Sequence, residues 1–164
     1  MADRNDNYKV KNKLLLFFII IWTIFIFYNS SKCAEVSIED SSKVAKVVEK
    51  AVEAVYRGNP PENIKDFFKT TFMSVLRDFA HFFEFFILGI LAILYSLKYK
   101  ITSIKRILFC ILFCVIIALI DESIQLFSQG RAFEICDLIK DGSGSIAGSM
   151  TIFFNKYIRK TIKT

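Results

Sequence analysis

The chain has one histidine, His81, standing three residues before Glu84 in "DFAHFFEFF". A second polar set, Asp121, Glu122 and Gln125, interrupts the apolar run "CVIIALIDESIQLF". Gly130 and Arg131 follow it, and Asp137 and Asp141 open the next apolar stretch. Imidazole and carboxylates at such spacings suit general acid and base work or the holding of a divalent ion, while an arginine beside them suits bidentate contact with an anionic group. A carboxylate at the centre of a membrane helix costs about 2.5 to 3.5 kcal/mol, so it demands a partner or water. Asp121 lies six residues before Phe127, roughly 9 Å below that end of a helix rising 1.5 Å per residue. Arg131 and His81 are the partners expected for it.

The scaffold that must position these groups is apolar. Of 164 residues, 54% are hydrophobic and 15% aromatic, too apolar for a soluble domain with a solvated surface. The formal charge of +6 would suggest nucleic acid in a soluble protein, but here Lys and Arg flank hydrophobic runs and act as topology signals. No Gly-rich phosphate loop, Gly-x-Ser-x-Gly elbow or helix-turn-helix context is present. The spacing of Cys33, Cys110, Cys114 and Cys136 fits no zinc pattern. Cys110 and Cys114, a turn apart in an apolar run, are packing residues. A bridge between Cys33 and Cys136 would need both on the oxidising side, and nothing in the sequence brings them together.

Four segments approach the ~20 apolar residues that span a bilayer: 14–28, 79–97, 107–127 and 138–154, the last the least hydrophobic. The expected fold is therefore all-α, a polytopic membrane bundle of four transmembrane helices with an outer amphipathic helical loop. Residues 1–28 form the cytoplasmic N-terminus and first helix, 29–78 the outer loop, 79–155 the transmembrane core and 156–164 a basic cytoplasmic tail. The first segment is short and follows Lys9, Lys11 and Lys13, as a signal peptide would. It stays bulky to its end, with Trp22 and Tyr28 placed as interfacial anchors and "NSSKCAE" a poor cleavage site, so it is expected to remain as an anchor. The basic flanks before residue 14, at 98–106 and after 155 place both termini and that loop in the cytoplasm. In the outer loop, "SSKVAKVVEKAVEAVYRG" has apolar residues at helical spacing, with Ser41 or Ser42 as N-cap and Gly58 as the stop. After "NPP", residues 62–79 resume a second amphipathic stretch, and both are expected to lie along the membrane surface or cap the bundle. Gly144 and Gly148 form a GxxxG spacing that lets another helix approach closely.

With that topology Arg77, Asp78, His81 and Glu84 stand at the outer start of the second span. Asp121, Glu122 and Gln125 lie in the outer third of the third, and Arg131, Asp137, Lys140 and Asp141 at the outer loop and start of the fourth. Asp78, His81 and Glu84, three apart, fall on one face of their helix. Three separated segments deliver ionisable groups to one depth, as a shared polar pocket open to the outside requires. A network that merely holds the helices in register, acids paired to Arg131 and Lys140, uses the same residues.

The motifs "RDFAHFFEFFILGIL" and "IDESIQLFSQGRAFEICDLIKDGSGSIAG" resemble the VanZ-like family of small bacterial membrane proteins. The shared positions are His81 and Glu84, then Asp121, Glu122 and Gln125, then Gly130 and Arg131, then Asp137, and Asp141 with Gly144 and Gly148. The chain departs from the pattern at Ser128-Gln129, where the family often has a Val-Pro-Gly-like turn. The resemblance implies a multi-pass protein of the bacterial cell membrane connected with the envelope. The family takes its name from a protein associated with resistance to teicoplanin, a lipoglycopeptide antibiotic.

The leading functional expectation is binding rather than catalysis: an outward pocket for a lipid headgroup, a lipid-linked precursor or a lipoglycopeptide. Arg131 would meet the anionic group, His81 and Gln125 would hydrogen-bond, and the acids would orient them. The phenylalanines around His81 suit acyl contact. The alternative is a membrane hydrolase or transferase in which His81, Glu84, Asp121, Glu122, Asp137 and Asp141 hold a divalent ion or act as acid and base. Because their spacing matches no established metal motif, no cofactor or bound metal is expected, and membrane lipids are the expected partners.

Overall fold

The computed structural model describes residues 2–32, 34–67 and 71–161. All regular elements among them are helical: α1 (Ala2–Ser30), α2 (Ala34–Val55), α3 (Glu62–Phe67), α4 (Met73–Ser96), α5 (Ser103–Gln125) and α6 (Ile135–Thr161). Three of these are long and apolar enough to cross a membrane, over Val10–Ser30, Ser74–Ser96 and Ser103–Gln125. α6 carries Asp137, Lys140 and Asp141 in its first turns and a run of Gly and Ser thereafter, which lowers its apolarity below that of the other three.

The exposed faces fit lipid. α1 presents Phe17, Ile20, Ile24 and Phe25, and α5 presents Leu108, Leu112, Ile116 and Leu119, to the outside. In lipid such side chains carry no penalty, so the inward faces are set by packing and polar contacts rather than by hydrophobicity. Each inward face changes character along its length. On α5 the buried stripe runs Cys110, Cys114, Ala118, then Asp121, Glu122 and Gln125. On α4 it runs His81, Phe85, Leu88, Ala92 and Ser96, and on α6 Asp137, Asp141, Ser145 and Ser149. The steps of three and four residues are those of one helix face. The two cysteines pack in the apolar half of the core with Ile19, Ile26, Phe85 and Leu88.

α4 and α6 run side by side with the most intimate helix contact among the described residues. Gly144 and Gly148 rest on the backbone carbonyls of Phe82 and Phe86, and Gly89 on that of Ser145. Any side chain at these positions would hold the backbones apart. Ser149 Oγ donates to Gly89 O at 3.4 Å across the same seam. Gly89 in turn faces Ser145 and Ser149, so small residues line both sides of the seam.

The connections are short and locally closed. Arg106 Nη2 donates to Tyr99 O at 3.0 Å and Ile101 O at 3.3 Å, tying off the α4–α5 turn. α2 ends as the sequence predicts: Arg57 and Gly58 have positive φ, and Gly58 N donates to Glu53 O at 2.8 Å, which satisfies one of the last carbonyls. Its start differs. The helix begins at Ala34, upstream of Ser41 and Ser42, and Ser42 Oγ donates back to Glu39 O at 2.7 Å instead of capping. A serine inside a helix commonly bonds the preceding turn in this way. Residues 62–79 divide into α3 and the first turns of α4, with 68–70 outside the described residues. Cys33 also lies outside them, and Cys136 is exposed.

Candidate functional site: a buried polar centre

Polar residues of α1, α4, α5 and α6 meet at one level, which joins the end of α1, the end of α5, the beginning of α4 and the beginning of α6. Asp121, Glu122 and Asp141 have no exposed surface, and Gln125, Asp137 and His81 are buried. Glu84 and Arg131 are half-buried. All the site residues picked from sequence thus occupy one region, but their pairings differ from those the sequence suggested.

Asp121 is bonded by α1 and its own helix. Ser30 Oγ donates to Oδ1 at 2.6 Å and Gln125 Nε2 to Oδ2 at 3.3 Å. Glu122 turns toward the next connection, where the Glu134 backbone N–H donates to Oε2 at 3.0 Å and Gln125 Nε2 to Oε1 at 3.1 Å. Gln125 is thereby the hub of the α5 carboxylates, and its own Oε1 accepts from Arg131 Nη1 at 3.0 Å. Arg131 was expected to pair with the acids; it reaches them through Gln125. The amide supplies a donor to each acid and an acceptor to the guanidinium, a relay that neither lysine nor arginine at 125 would provide.

His81 and Glu84 part company. Glu84 faces α1, where Asn29 Nδ2 donates to Oε1 at 2.7 Å and Trp22 Nε1 donates to its backbone carbonyl at 2.8 Å. His81 faces α6, with Nε2 3.9 Å from Asp137 Oδ2 and Nδ1 3.5 Å from Asp141 Oδ1. Asp78, on the same side of α4 as His81, accepts from Lys140 Nζ at 2.6 Å, and that ammonium also donates to Asp137 Oδ1 at 2.6 Å. Lys140 therefore clamps this end of the α4–α6 seam.

The α5–α6 connection lies over this cluster. Ser128 to Arg131 form a turn closed by Arg131 N donating to Ser128 O at 3.2 Å, with Gly130 at φ +76. A positive φ at the third turn residue is the geometry that selects glycine. Gly130 thus fixes the direction in which Arg131 leaves the chain, without proline at 129. Ser128 Oγ donates to Ser30 O at 3.0 Å and fastens the turn to the end of α1.

A model of the VanZ/LLP1 family matches residues 15–156. The chain belongs to that family. No curated protein and no solved structure matches the chain. The VanZ/LLP1 match includes α1 as well as the two motifs, which agrees with the part α1 plays in the polar centre: Trp22, Asn29 and Ser30 all donate into it. Asn29 and Ser30 are not among the expected site residues, and Trp22 was expected only as an interfacial anchor. The available signal was Asn29-Ser30, two polar residues closing an apolar run at the depth of Asp121.

Proposed function

We propose that this VanZ-family membrane protein crosses the membrane four times, with both termini inside, and that its polar end opens outward to bind the headgroup of an envelope lipid, a lipid-linked precursor or a lipoglycopeptide. Teicoplanin resistance would be one consequence of such binding. The observation that carries the reading is Arg131, half-buried on a glycine-defined turn over the polar centre, with Nη1 on Gln125. Guanidinium has five donors in a fixed fork, so the rest of Arg131 is available to a phosphate or carboxylate at the mouth. Seating α6 in the membrane is supported by its close contact with α4 and by the pairing of Lys140 with two acids, which lowers the cost of its charges.

Replacing Arg131 by Ala is expected to weaken binding of lipid vesicles bearing an anionic headgroup, or of teicoplanin, about tenfold or more, with Lys restoring only part, because a point charge lacks the fork. Binding unchanged in Arg131→Ala rejects the reading.

A hydrolase or transferase is the second reading, favoured by the position of His81 between Asp137 and Asp141, where a carboxylate could orient an imidazole base. It requires that purified protein turn over an envelope lipid and that His81→Ala and Asp121→Ala each lower the rate about 100-fold or more. Intact lipid after prolonged incubation with the wild-type protein would leave binding as the function.

A further inference from the structure

We propose that His81, Asp121 and Asp141 bind one divalent transition-metal ion, Zn²⁺ or Mn²⁺, inside the bundle. One ligand atom from each of the three lies within 4.8 Å of the other two, and all three residues are buried.

Charge and hydrogen bonding are out of balance at this trio. Asp141 has no exposed surface, and neither of its carboxylate oxygens accepts a hydrogen bond among the described residues; His81 Nδ1, which faces it, is likewise unpartnered. Their separation of 3.5 Å is at the limit for an N–H···O bond, whose preferred range ends near 3.2 Å. The cations of this region are engaged elsewhere. Lys140 Nζ sits 2.6 Å from both Asp78 and Asp137, and Arg131 is on Gln125. Buried carboxylates without a partner are strongly unfavourable. A dication between Asp121, Asp141 and His81 supplies the missing charge at the atoms that lack it.

The donor chemistry and spacing also suit a transition-metal ion. One imidazole and two carboxylates form a mixed nitrogen and oxygen set, which suits Zn²⁺ or Mn²⁺ better than the oxygen-only preference of Ca²⁺ or the hydrated octahedron of Mg²⁺. With metal–ligand bonds of about 2.1 Å, tetrahedral neighbours stand about 3.4 Å apart. The His81–Asp141 pair is already at 3.5 Å, and Asp121, whose ligand atom lies within 4.8 Å of both, joins them by a side-chain adjustment. Three protein ligands leave a position for water or for an oxygen of an anionic headgroup.

Each ligand also has neighbours that orient it. Metal-bound histidines usually direct their other ring nitrogen at a carboxylate that orients them. Here Nε2 faces Asp137 Oδ2 at 3.9 Å, and Lys140 holds that carboxylate in place. Asp121 is oriented by Ser30 and Gln125. The residues around the trio thus have the arrangement of a supporting shell.

The test uses full-length protein purified in detergent, stripped with EDTA, then equilibrated with Zn²⁺ or Mn²⁺ and desalted. Metal analysis should give an ion-to-chain ratio near unity, and the melting temperature should rise by about 5 °C or more at saturating ion. Asp141→Asn, nearly the same shape without the charge, should melt no lower than the stripped wild type while losing both the ion and the ion-dependent rise. His81→Asn should lose the ion too. A wild type that retains no ion overturns the proposal, and Asp141→Asn melting below it would then mark the pair as only structural. An ion retained equally by both variants overturns it as well, since it would then sit elsewhere. The ion is counted with no lipid ligand or antibiotic added, so this result and the headgroup reading stand or fall separately.

Discussion

Gly148→Val should leave little or no folded protein, while Gly142→Ala, six residues away on the same helix, should be tolerated. A Cβ at 148 would overlap the backbone carbonyl of Phe86, whereas one at 142 meets nothing within 4 Å. The obstruction at 148 is backbone on both sides, so no rotamer change relieves it; α6 must move off α4. Overpacking ordinarily costs about 1 to 3 kcal/mol, and here the seam also brings Asp141 to His81 and Lys140 to Asp78. Adding the loss of those contacts brings the expected destabilisation to about 3 kcal/mol or more, a large part of the typical stability of a folded domain. At 142 the change removes a glycine from a helix interior, which by propensity gains up to about 1 kcal/mol. Size-exclusion profiles and thermal melts in detergent compare the two. A Gly148→Val protein that elutes and melts like the wild type would mean that α4 and α6 do not touch along this face.

The same seam shows how much of the molecule was legible from sequence. Gly144 and Gly148 advertised a close helix contact, but nothing in the sequence named α4 as the partner, because Gly89 stands alone among large residues. The level of the polar residues followed from their places near the ends of apolar runs whose alternating direction the basic flanks suggested, with Asp121 placed by counting at 1.5 Å per residue. That reading put His81, Asp121 and Asp141 at one level, and they lie together. Rotation about each helix axis did not follow. His81 and Glu84, three residues apart, are separated by about 60° around the axis, enough for one to face α6 and the other α1. Asp121 and Glu122 are about 100° apart, so one meets Ser30 and the other the backbone of Glu134. A lipid-facing surface and a packed surface are equally apolar here, which removes the hydrophobic contrast that fixes rotation in a soluble helix. That is why pairings such as Lys140 with Asp78, or Arg131 with Gln125 in place of an acid, emerge only from the packed structure.

Gln125→Glu is expected to be the most damaging near-isosteric change in the polar centre, and clearly worse than Gln125→Leu. In the wild type the amide nitrogen is 3.3 Å from Asp121 Oδ2 and 3.1 Å from Glu122 Oε1, and the amide oxygen accepts from Arg131 at 3.0 Å. Leucine removes these bonds, leaving two buried acids short of a donor at about 1 to 3 kcal/mol for each group left unsatisfied. Glutamate retains the contact with Arg131 but replaces the donor with a third carboxylate oxygen against two that have no exposed surface. Three acids at hydrogen-bond distance cannot all stay ionised in such a site, and uncompensated buried charge costs about 3 to 5 kcal/mol. Gln125→Glu should therefore lower the melting temperature more than Gln125→Leu, or fail to accumulate as a monodisperse species. Adding Asp121→Asn to Gln125→Glu should recover part of the loss, because an amide then stands opposite the new carboxylate and the donor is restored from the other side. Equal melting of Gln125→Glu and wild type would show that the glutamine is not the donor joining these two acids, and the recovery in the double variant separates a charge effect from a simple loss of packing.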